Sequence, residues 1–240
     1  MTARVLKSRI EIDRARTELR SRGLSYITTW PLRIMHRRGL VKGVSVGDYI
    51  KGWDILSTAA FMETNVPRSA PVLDIGAYGS EMLCVMHRLK YSNLSGVDLN
   101  SELSLMPFAD KIRYQVSDFM HTPFESESFE AVTAISVIEH GFQGQSLLTE
   151  VSRLLRPGGY FIASFDYWPD KLNTDEIRIF DMDWRIFSRS EVLDLIAEAR
   201  HFGLAPFGEI DLDAQERPVS AADKHYTFAW MVLRKHSAAS

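Results

Sequence analysis

The sequence predicts an α/β protein with a mainly parallel sheet of seven strands and helices on both faces. From residue 71 onward, short apolar runs alternate with amphipathic segments, as in folds where helices connect parallel strands. Several of the apolar runs end in a small or acidic residue. The chain has 240 residues, 45% of them hydrophobic, which is enough for one substantial core.

The first 69 residues are predicted to form a basic helical extension to a domain over residues 70–240. Residues 3–22 place apolar side chains among arginines with helical spacing, and residues 48–65 form a second helical pattern, interrupted near Gly52. Residues 1–42 carry a formal charge of +8 and the rest of the chain −11. Such a segment indicates an anionic partner, which could be a lipid surface or a phosphate-bearing acceptor. The alternative is that it docks on the acidic remainder of the same chain.

The domain is predicted to contain seven strands, each followed by a helix or a turn. Helices are expected from Ser80 to Lys90, over residues 146–156 up to Pro157, and over residues 189–200, where Ser188 and Glu191 form a capping box. The fourth strand is too apolar to be half exposed, so both of its faces should be covered. The strands are expected within residues 71–76, 93–100, 112–118, 129–141, 160–168, 206–212 and 226–235.

A glycine turn and an acidic rim mark the expected ligand site. In open α/β sheets the ligand binds beyond the carboxyl ends of the strands. A carboxylate near the turn disfavours the pyrophosphate of NAD and favours the ammonium and sulfonium groups of S-adenosylmethionine (SAM). The polar side chains expected at strand ends are Asp74, Asp98, Asp118, Ser136 and Asp166.

The run from about residue 70 to 166 resembles a class I SAM-dependent methyltransferase of the small-molecule, type 11-like kind. Four segments follow that family's order and spacing: VLDIGAYGSE, GVDLN, VSDFMHTPFESESFEAVTAISVIEH and LLTEVSRLLRPGGYFIASF. The resemblance implies a Rossmann-like fold, SAM as cofactor, and methyl transfer to a small-molecule acceptor. One departure stands out, because Tyr78 and Ser80 replace the second and third glycines of the pattern D-x-G-x-G-x-G.

The cofactor residues are expected at the ends of consecutive strands. Asp98 is placed to accept hydrogen bonds from the ribose hydroxyls, and Asp118 from the adenine amino group. Tyr78 is expected to flank the methionine end or to point to solvent. The complete expected set is Asp74, Gly76, Ala77, Tyr78, Asp98, Leu99, Asp118, Phe119 and Ser136.

His140 and Asp166 are the candidate general bases. A histidine titrates near neutrality, and a base is needed only if the acceptor must lose a proton. The alternatives are a supporting or helix-capping role for His140 and a turn role for Asp166. Glu139 is expected to be structural. The histidines show no zinc spacing and Cys84 is the single cysteine, so no metal is expected.

Two functions remain open from the sequence. The first is a SAM-dependent methyltransferase whose acceptor is a small molecule, with a sugar or surface-glycan intermediate suggested because residues 47–81 resemble the lead-in of bacterial enzymes of that kind. The second is a catalytically silent SAM-fold protein that binds or regulates a partner, which Tyr78 favours.

The cellular location and the class of partner are also predicted from the sequence. No window approaches about 18 consecutive apolar residues, and the first residues lack a signal-peptide core, so a cytoplasmic enzyme is expected. Peripheral membrane contact through the basic segment is compatible with this. Nucleic acid is disfavoured because the segment lacks interleaved aromatic residues. The acceptor and the oligomeric state stay open.

Overall fold

The computed structural model describes residues 3–236, which contain eleven strands and six α-helices. The strands are β1 (Ala3–Val5), β2 (Pro71–Ile75), β3 (Asn93–Asp98), β4 (Arg113–Val116), β5 (Phe129–Ile135), β6 (Leu155–Tyr167), β7 (Arg178–Ile179), β8 (Met182–Asp183), β9 (Leu204–Pro206), β10 (Val219–Ala221) and β11 (Lys224–Lys235). The helices are α1 (Arg9–Ser21), α2 (Trp30–Arg37), α3 (Gly52–Asn65), α4 (Met82–Arg88), α5 (Gly144–Leu154) and α6 (Arg189–His201). Two 3-10 turns lie at Tyr49–Lys51 and Ser101–Leu105.

The main sheet has the strand order β1-β11-β6-β5-β2-β3-β4, with β9 and β10 pairing to β11. Strands β2 to β6 are mutually parallel, and β11 runs antiparallel to β6. The predicted seven-stranded, mainly parallel sheet is therefore confirmed along this path. Because the five parallel strands share one direction, their carboxyl ends lie along a single edge of the sheet.

Helices cover both faces of the sheet. Apolar side chains of α1, α3 and α4 form one buried cluster, and those of α5 and α6 form a second on the opposite face. Strand β5 lies between them, with residues 131–135 all buried. The uninterrupted apolar run of this strand is explained by burial on both sides.

Two expectations about the edge of the sheet were wrong. Residues 3–5 form strand β1 instead of helix, and Ala3 to Val5 pair antiparallel with residues 229–231 of β11. Helix α1 begins only at Arg9, after a capping box between Ser8 and Glu11. The strand expected at residues 206–212 is instead the short β9 (Leu204–Pro206), because the chain turns at Gly208, whose φ is +107°.

Two basic residues of this region, Arg16 in α1 and Arg22 just after it, are paired with the rest of the chain. Arg16 is fully buried, forms an ion pair with Glu81, and donates to the Tyr49 carbonyl at 2.8 Å. Arg22 contacts Glu63 at 2.6 Å. These pairs support the docking alternative for residues 9–22. The division into residues 1–69 and 70–240 stays a prediction, although β1 lies in the common sheet.

Gly52 begins α3 and does not interrupt it. A Cβ at this position would lie 2.7 Å from Cγ of Arg16, so glycine allows the buried arginine to approach the helix. None of the helices in residues 3–236 has both the length and the apolar character needed to cross a membrane.

Candidate functional site

The turn after β2 is held against the neighbouring strand ends. The backbone N–H groups of Gly76 and Ala77 both donate to the Val97 carbonyl, at 2.9 and 3.0 Å. Gly76 has a φ of +72°, and a Cβ there would lie 2.3 Å from Cγ2 of Val137. Only glycine meets both the conformational and the steric requirement at this position.

Asp74 is buried at the end of β2 with one carboxylate oxygen unpaired. Its Oδ1 accepts a hydrogen bond from Thr133 at 2.6 Å, whereas Oδ2 has no partner among the described residues. Burial raises the pKa of Asp74 to about 7. An unpaired, buried carboxylate oxygen is well suited to a cation or a hydrogen-bond donor.

Asp98 organises the next strand end. Its Oδ2 accepts from the Tyr78 backbone N–H at 3.0 Å, and its Oδ1 from that of Asn100 at 2.9 Å. The Tyr78 hydroxyl donates to Glu102 at 3.0 Å. Tyr78 therefore extends along the turn that follows Asp98 and is fastened there, instead of pointing freely to solvent. Leu99, beside them, is exposed.

The end of β4 adjoins the end of β3. The Ser117 N–H donates to the Asp98 carbonyl at 3.0 Å. Asp118 is exposed and accepts from the Met120 N–H at 2.9 Å, and Phe119 is half-buried. Asp118 and Phe119 thus lie on the Asp98 side of the sheet edge, next to the glycine turn.

A second group of polar side chains surrounds Lys51 at the ends of β5 and β6. The Lys51 ammonium donates to the Ser136 hydroxyl and lies 3.9 Å from carboxylate oxygens of Asp54 and of Asp166. It also sits over the Phe228 ring, 3.4 Å from the centroid. The Lys51 ammonium is therefore shared between two buried carboxylates, those of Asp54 and Asp166.

The carboxylates around Lys51 are held in a low-dielectric environment. Asp54 accepts from Ser164 at 3.0 Å, and Asp166 from the Trp184 indole at 2.8 Å. Burial raises the pKa of Asp54, and it raises that of Glu139 to about 7. Burial, together with the nearby Glu139, also raises the pKa of Asp166 to about 7. Groups that titrate near neutrality can exchange protons at physiological pH.

His140 lies beside this group. Its ring centroid is 5.3 Å from that of Phe180, and its Nδ1 is buried without a partner in residues 3–236. Burial lowers the pKa of His140, so the neutral imidazole dominates at pH 7. The segment after β6 closes over it, since the Arg185 N–H donates to the Glu139 carbonyl at 2.9 Å. Of the aromatic residues in this segment, Trp168, Trp184 and Phe187 are buried and Phe180 is exposed.

The structure thus brings the expected residues together in two adjoining groups. Asp74, Gly76, Ala77, Tyr78 and Asp98 form the first, with Leu99, Asp118 and Phe119 at its outer end. The second contains Ser136, His140 and Asp166. Val137 joins the groups, because it packs against Gly76 and follows Ser136 directly.

Sequence reasoning missed the centre of the second group. Neither Lys51 nor Asp54 is among the site residues expected from the sequence. Lys51 and Asp54 are three positions apart at the start of a helix, and this spacing is one weak signal that the two side chains interact. Their partners Ser136 and Ser164 lie 85 and 110 positions away in the chain, so the pairing itself was not visible.

Comparison with known proteins identifies the core of the chain. Residues 73–163 match a family model described as a methyltransferase domain. This stretch is therefore similar to methyltransferase domains. The match runs from the glycine turn to Ala163 in strand β6, so it includes the first group and, of the second group, Ser136, Glu139 and His140.

Similar proteins cover this methyltransferase domain only in part. Sterol 24-C-methyltransferase ERG6B of Gibberella zeae is 40% identical over 53 residues, which are 22% of this chain and 14% of that protein. The ubiquinone/menaquinone C-methyltransferase UbiE of Desulfotalea psychrophila is 32% identical over 98 residues, 39% of this chain and 40% of that protein. The alignments thus span well under half of these relatives.

Solved structures share the fold over most of the chain. Geranyl diphosphate C-methyltransferase of Streptomyces coelicolor superposes with a TM-score of 0.58 at 18% identity, covering 92% of this chain and 97% of that one. The [4+2]-cyclase SpnF gives a TM-score of 0.59 at 15% identity, covering 80% and 84%. At these identities the comparison establishes the fold, and it confirms the Rossmann-like methyltransferase architecture expected from the sequence.

Proposed function

We propose that this protein is a SAM-dependent methyltransferase acting on a small, hydroxyl-bearing acceptor. The methyltransferase domain at residues 73–163 supports the reaction class. The observation that supports SAM as the cofactor is the unpaired, buried Oδ2 of Asp74 beside the glycine turn. A carboxylate there fits a cationic cofactor and opposes a pyrophosphate.

The glycine-turn group would hold the cofactor. Asp98 would accept from the ribose hydroxyls, because a carboxylate has about four lone-pair sites and two backbone N–H groups use only part of them. Asp118, Phe119 and Leu99 would line the adenine end. Asp74, with Gly76, Ala77 and Ser136, would lie toward the methionine end. Tyr78 would close the ribose side through its bond to Glu102.

The cofactor, when bound, supplies a methyl group on a cationic sulfur. The work left to the protein is positioning and, for a hydroxyl acceptor, removal of one proton. Asp166 suits that role because its pKa of about 7 lets it take and release a proton near neutrality. Trp184 fixes the orientation of the Asp166 carboxylate. Neutral His140, with a free Nδ1, is the second candidate base.

The Lys51 group indicates the kind of acceptor. Asp54 Oδ1, Glu139 Oε2 and His140 Nδ1 are buried without hydrogen-bond partners in residues 3–236. Leaving such atoms unpaired is costly, so a ligand with several hydroxyl groups would stabilise the site. Three carboxylates to one lysine also disfavour an anionic group at this point. A sugar or a glycan intermediate fits these requirements better than a sterol or a prenyl chain.

An acceptor screen with methyl-labelled SAM tests this proposal. We expect label transfer to hydroxyl-rich sugars and their nucleotide-linked forms, and little transfer to sterol, quinone or prenyl diphosphate acceptors. An Asp166→Asn variant should lose transfer while keeping SAM affinity, because Asp166 would contact the acceptor and not the cofactor. Exclusive activity on an apolar acceptor would refute the assignment of the Lys51 group.

A second candidate function is a SAM-fold protein without methyl transfer. Tyr78 favours it, because its side chain crosses toward Glu102 where the family pattern has a glycine. The [4+2]-cyclase SpnF carries a different activity in its name on a similar fold. SAM binding with no transfer to any acceptor class would support this candidate over the first.

A further inference from the structure

Residues 30–42 form an exposed patch that is both apolar and basic. We call this segment, helix α2 and the turn after it, the 30–42 patch. Trp30 is 74% and Leu40 68% exposed, and Met35 is also exposed. Helix α2 has no buried residue, so it rests on the surface of the protein and contributes little to its core. Exposed large apolar side chains that lie together indicate a binding surface.

The patch also holds basic side chains that have no acidic partner among residues 3–236. Residues 30–42 contain four Lys and Arg and no Asp or Glu. Arg33 turns inward and donates to the Thr28 and Val46 carbonyls at 3.0 Å. None of the ion pairs among residues 3–236 includes Arg37, Arg38 or Lys42. In α1, in contrast, Arg16 is buried against Glu81.

A depression beside the patch adds further positive groups. It has a volume of about 610 Å³ and is lined by Trp30, Arg33, Arg20 and Arg88, with Asp48 as its one carboxylate. Arg33 and Arg88 already donate to backbone carbonyls, so the exposed Arg20 is the guanidinium of this depression best placed to meet a phosphate headgroup, at the level where indole rings rest in a membrane.

We propose that the 30–42 patch docks on an anionic lipid bilayer. Clustered basic residues are attracted to the negative surface of such a membrane, and the apolar side chains can enter the headgroup region. Charge complementarity supports this occupant, because the patch has no acidic residue with which a typical protein partner could pair. The proposal does not depend on the proposed methyl transfer.

Docking at the patch would bring the glycine turn close to the membrane. Arg33 holds the backbone at Val46 and Gly47, and the Gly47 N–H donates to the Gly79 carbonyl at 2.8 Å. A membrane-associated acceptor would then reach the site without crossing bulk water. The contacts of Gly47 provide the physical link between the patch and the site.

Tryptophan fluorescence offers a direct test because Trp30 is a natural probe. The other four tryptophans are at most 8% exposed, so a change of solvent environment reports mainly on Trp30. Adding phosphatidylcholine vesicles that contain phosphatidylserine should shift the emission to shorter wavelength, and pure phosphatidylcholine vesicles should not. Trp30→Phe should abolish the shift. No shift with the wild-type protein, or an equal shift with both vesicle types, overturns the proposal.

A matched pair of double variants tests the location in vesicle co-sedimentation. Arg38→Glu with Leu40→Ala should weaken binding to phosphatidylserine vesicles by at least about tenfold, since the charge reversal replaces attraction to the anionic surface with repulsion. Arg200→Glu with Leu193→Ala makes the same changes at exposed positions of α6 and should bind like wild type. The proposal is contradicted if both variants bind like wild type or if both lose binding to the same extent. Binding of the protein to RNA instead of vesicles also contradicts it. Unchanged melting temperatures verify that both variants fold.

Discussion

Replacing Asp166 with Asn should make the protein more stable at alkaline pH and less active. Asp166 is buried, and its pKa is raised to about 7 from the ordinary value of 3.8. In the unfolded chain the group ionises near its ordinary value. Between these two values the folded state binds more protons than the unfolded state, so this group lowers stability as pH rises. The loss is complete above the folded-state pKa.

The size of the effect follows from the displacement of the pKa. A change from 3.8 to about 7 corresponds to about 4 kcal/mol, an upper limit because Glu139 is coupled to Asp166. Asn keeps an oxygen for the Trp184 indole but loses the attraction of Lys51. We therefore expect Asp166→Asn to gain about 1–3 kcal/mol of unfolding free energy at about pH 8, and a difference within about 0.5 kcal/mol at about pH 3, below the ordinary pKa of the group.

Urea denaturation at several pH values measures this directly. Asp170→Asn, which alters an exposed carboxylate close to the same strand, serves as the control and should shift stability equally at all pH values. If Asp166→Asn is less stable than wild type at alkaline pH, ionised Asp166 is a structural partner of Lys51. The proposal that Asp166 serves catalysis although its ionised form destabilises the folded state would then be refuted.

Three further predictions concern the cofactor side and the second base. Asp98→Ala should weaken SAM binding by about 1–3 kcal/mol in calorimetry, because ribose hydroxyls and the turn lose their acceptor, and unchanged affinity contradicts the assignment. Gly76→Ala should destabilise the protein by more than about 2 kcal/mol in thermal unfolding, whereas Gly79→Ala, with its nearest atom at 3.6 Å, should cost only the roughly 1 kcal/mol of its positive φ. Equal losses would mean that the contact with Val137 relaxes freely. His140→Ala should lower turnover more than SAM affinity, and equal losses in both would mark His140 as structural.

The parallel core of the fold was predictable from local sequence patterns. Strands β2, β3, β5 and β6 contain apolar runs bounded by turn residues, and their alternation with helices predicts a parallel sheet. Strand β1 was not predictable, because three residues carry no periodicity. Its pairing with β11 joins positions more than 220 residues apart in the chain. The burial of Arg16 against Glu81 was hidden for the same reason.

The site was predictable in the parts that lie at strand ends. Asp74, Asp98 and Asp166 follow apolar strands, and the geometry of a parallel sheet gathers such positions at one edge. The role of Lys51 was not readable, since a lysine at the start of a helix is ordinarily a solvated side chain. Only the packing of α3 against the sheet places it between Asp54 and Asp166.

Titration of SAM and NAD side by side in a calorimeter tests the central claim most directly. The unpaired carboxylate of Asp74 and the acceptors of Asp98 predict saturable binding of SAM at one site, and no measurable binding of NAD, because its pyrophosphate would face the carboxylates at the turn. Binding of NAD, or no heat with SAM or S-adenosylhomocysteine, would contradict the account.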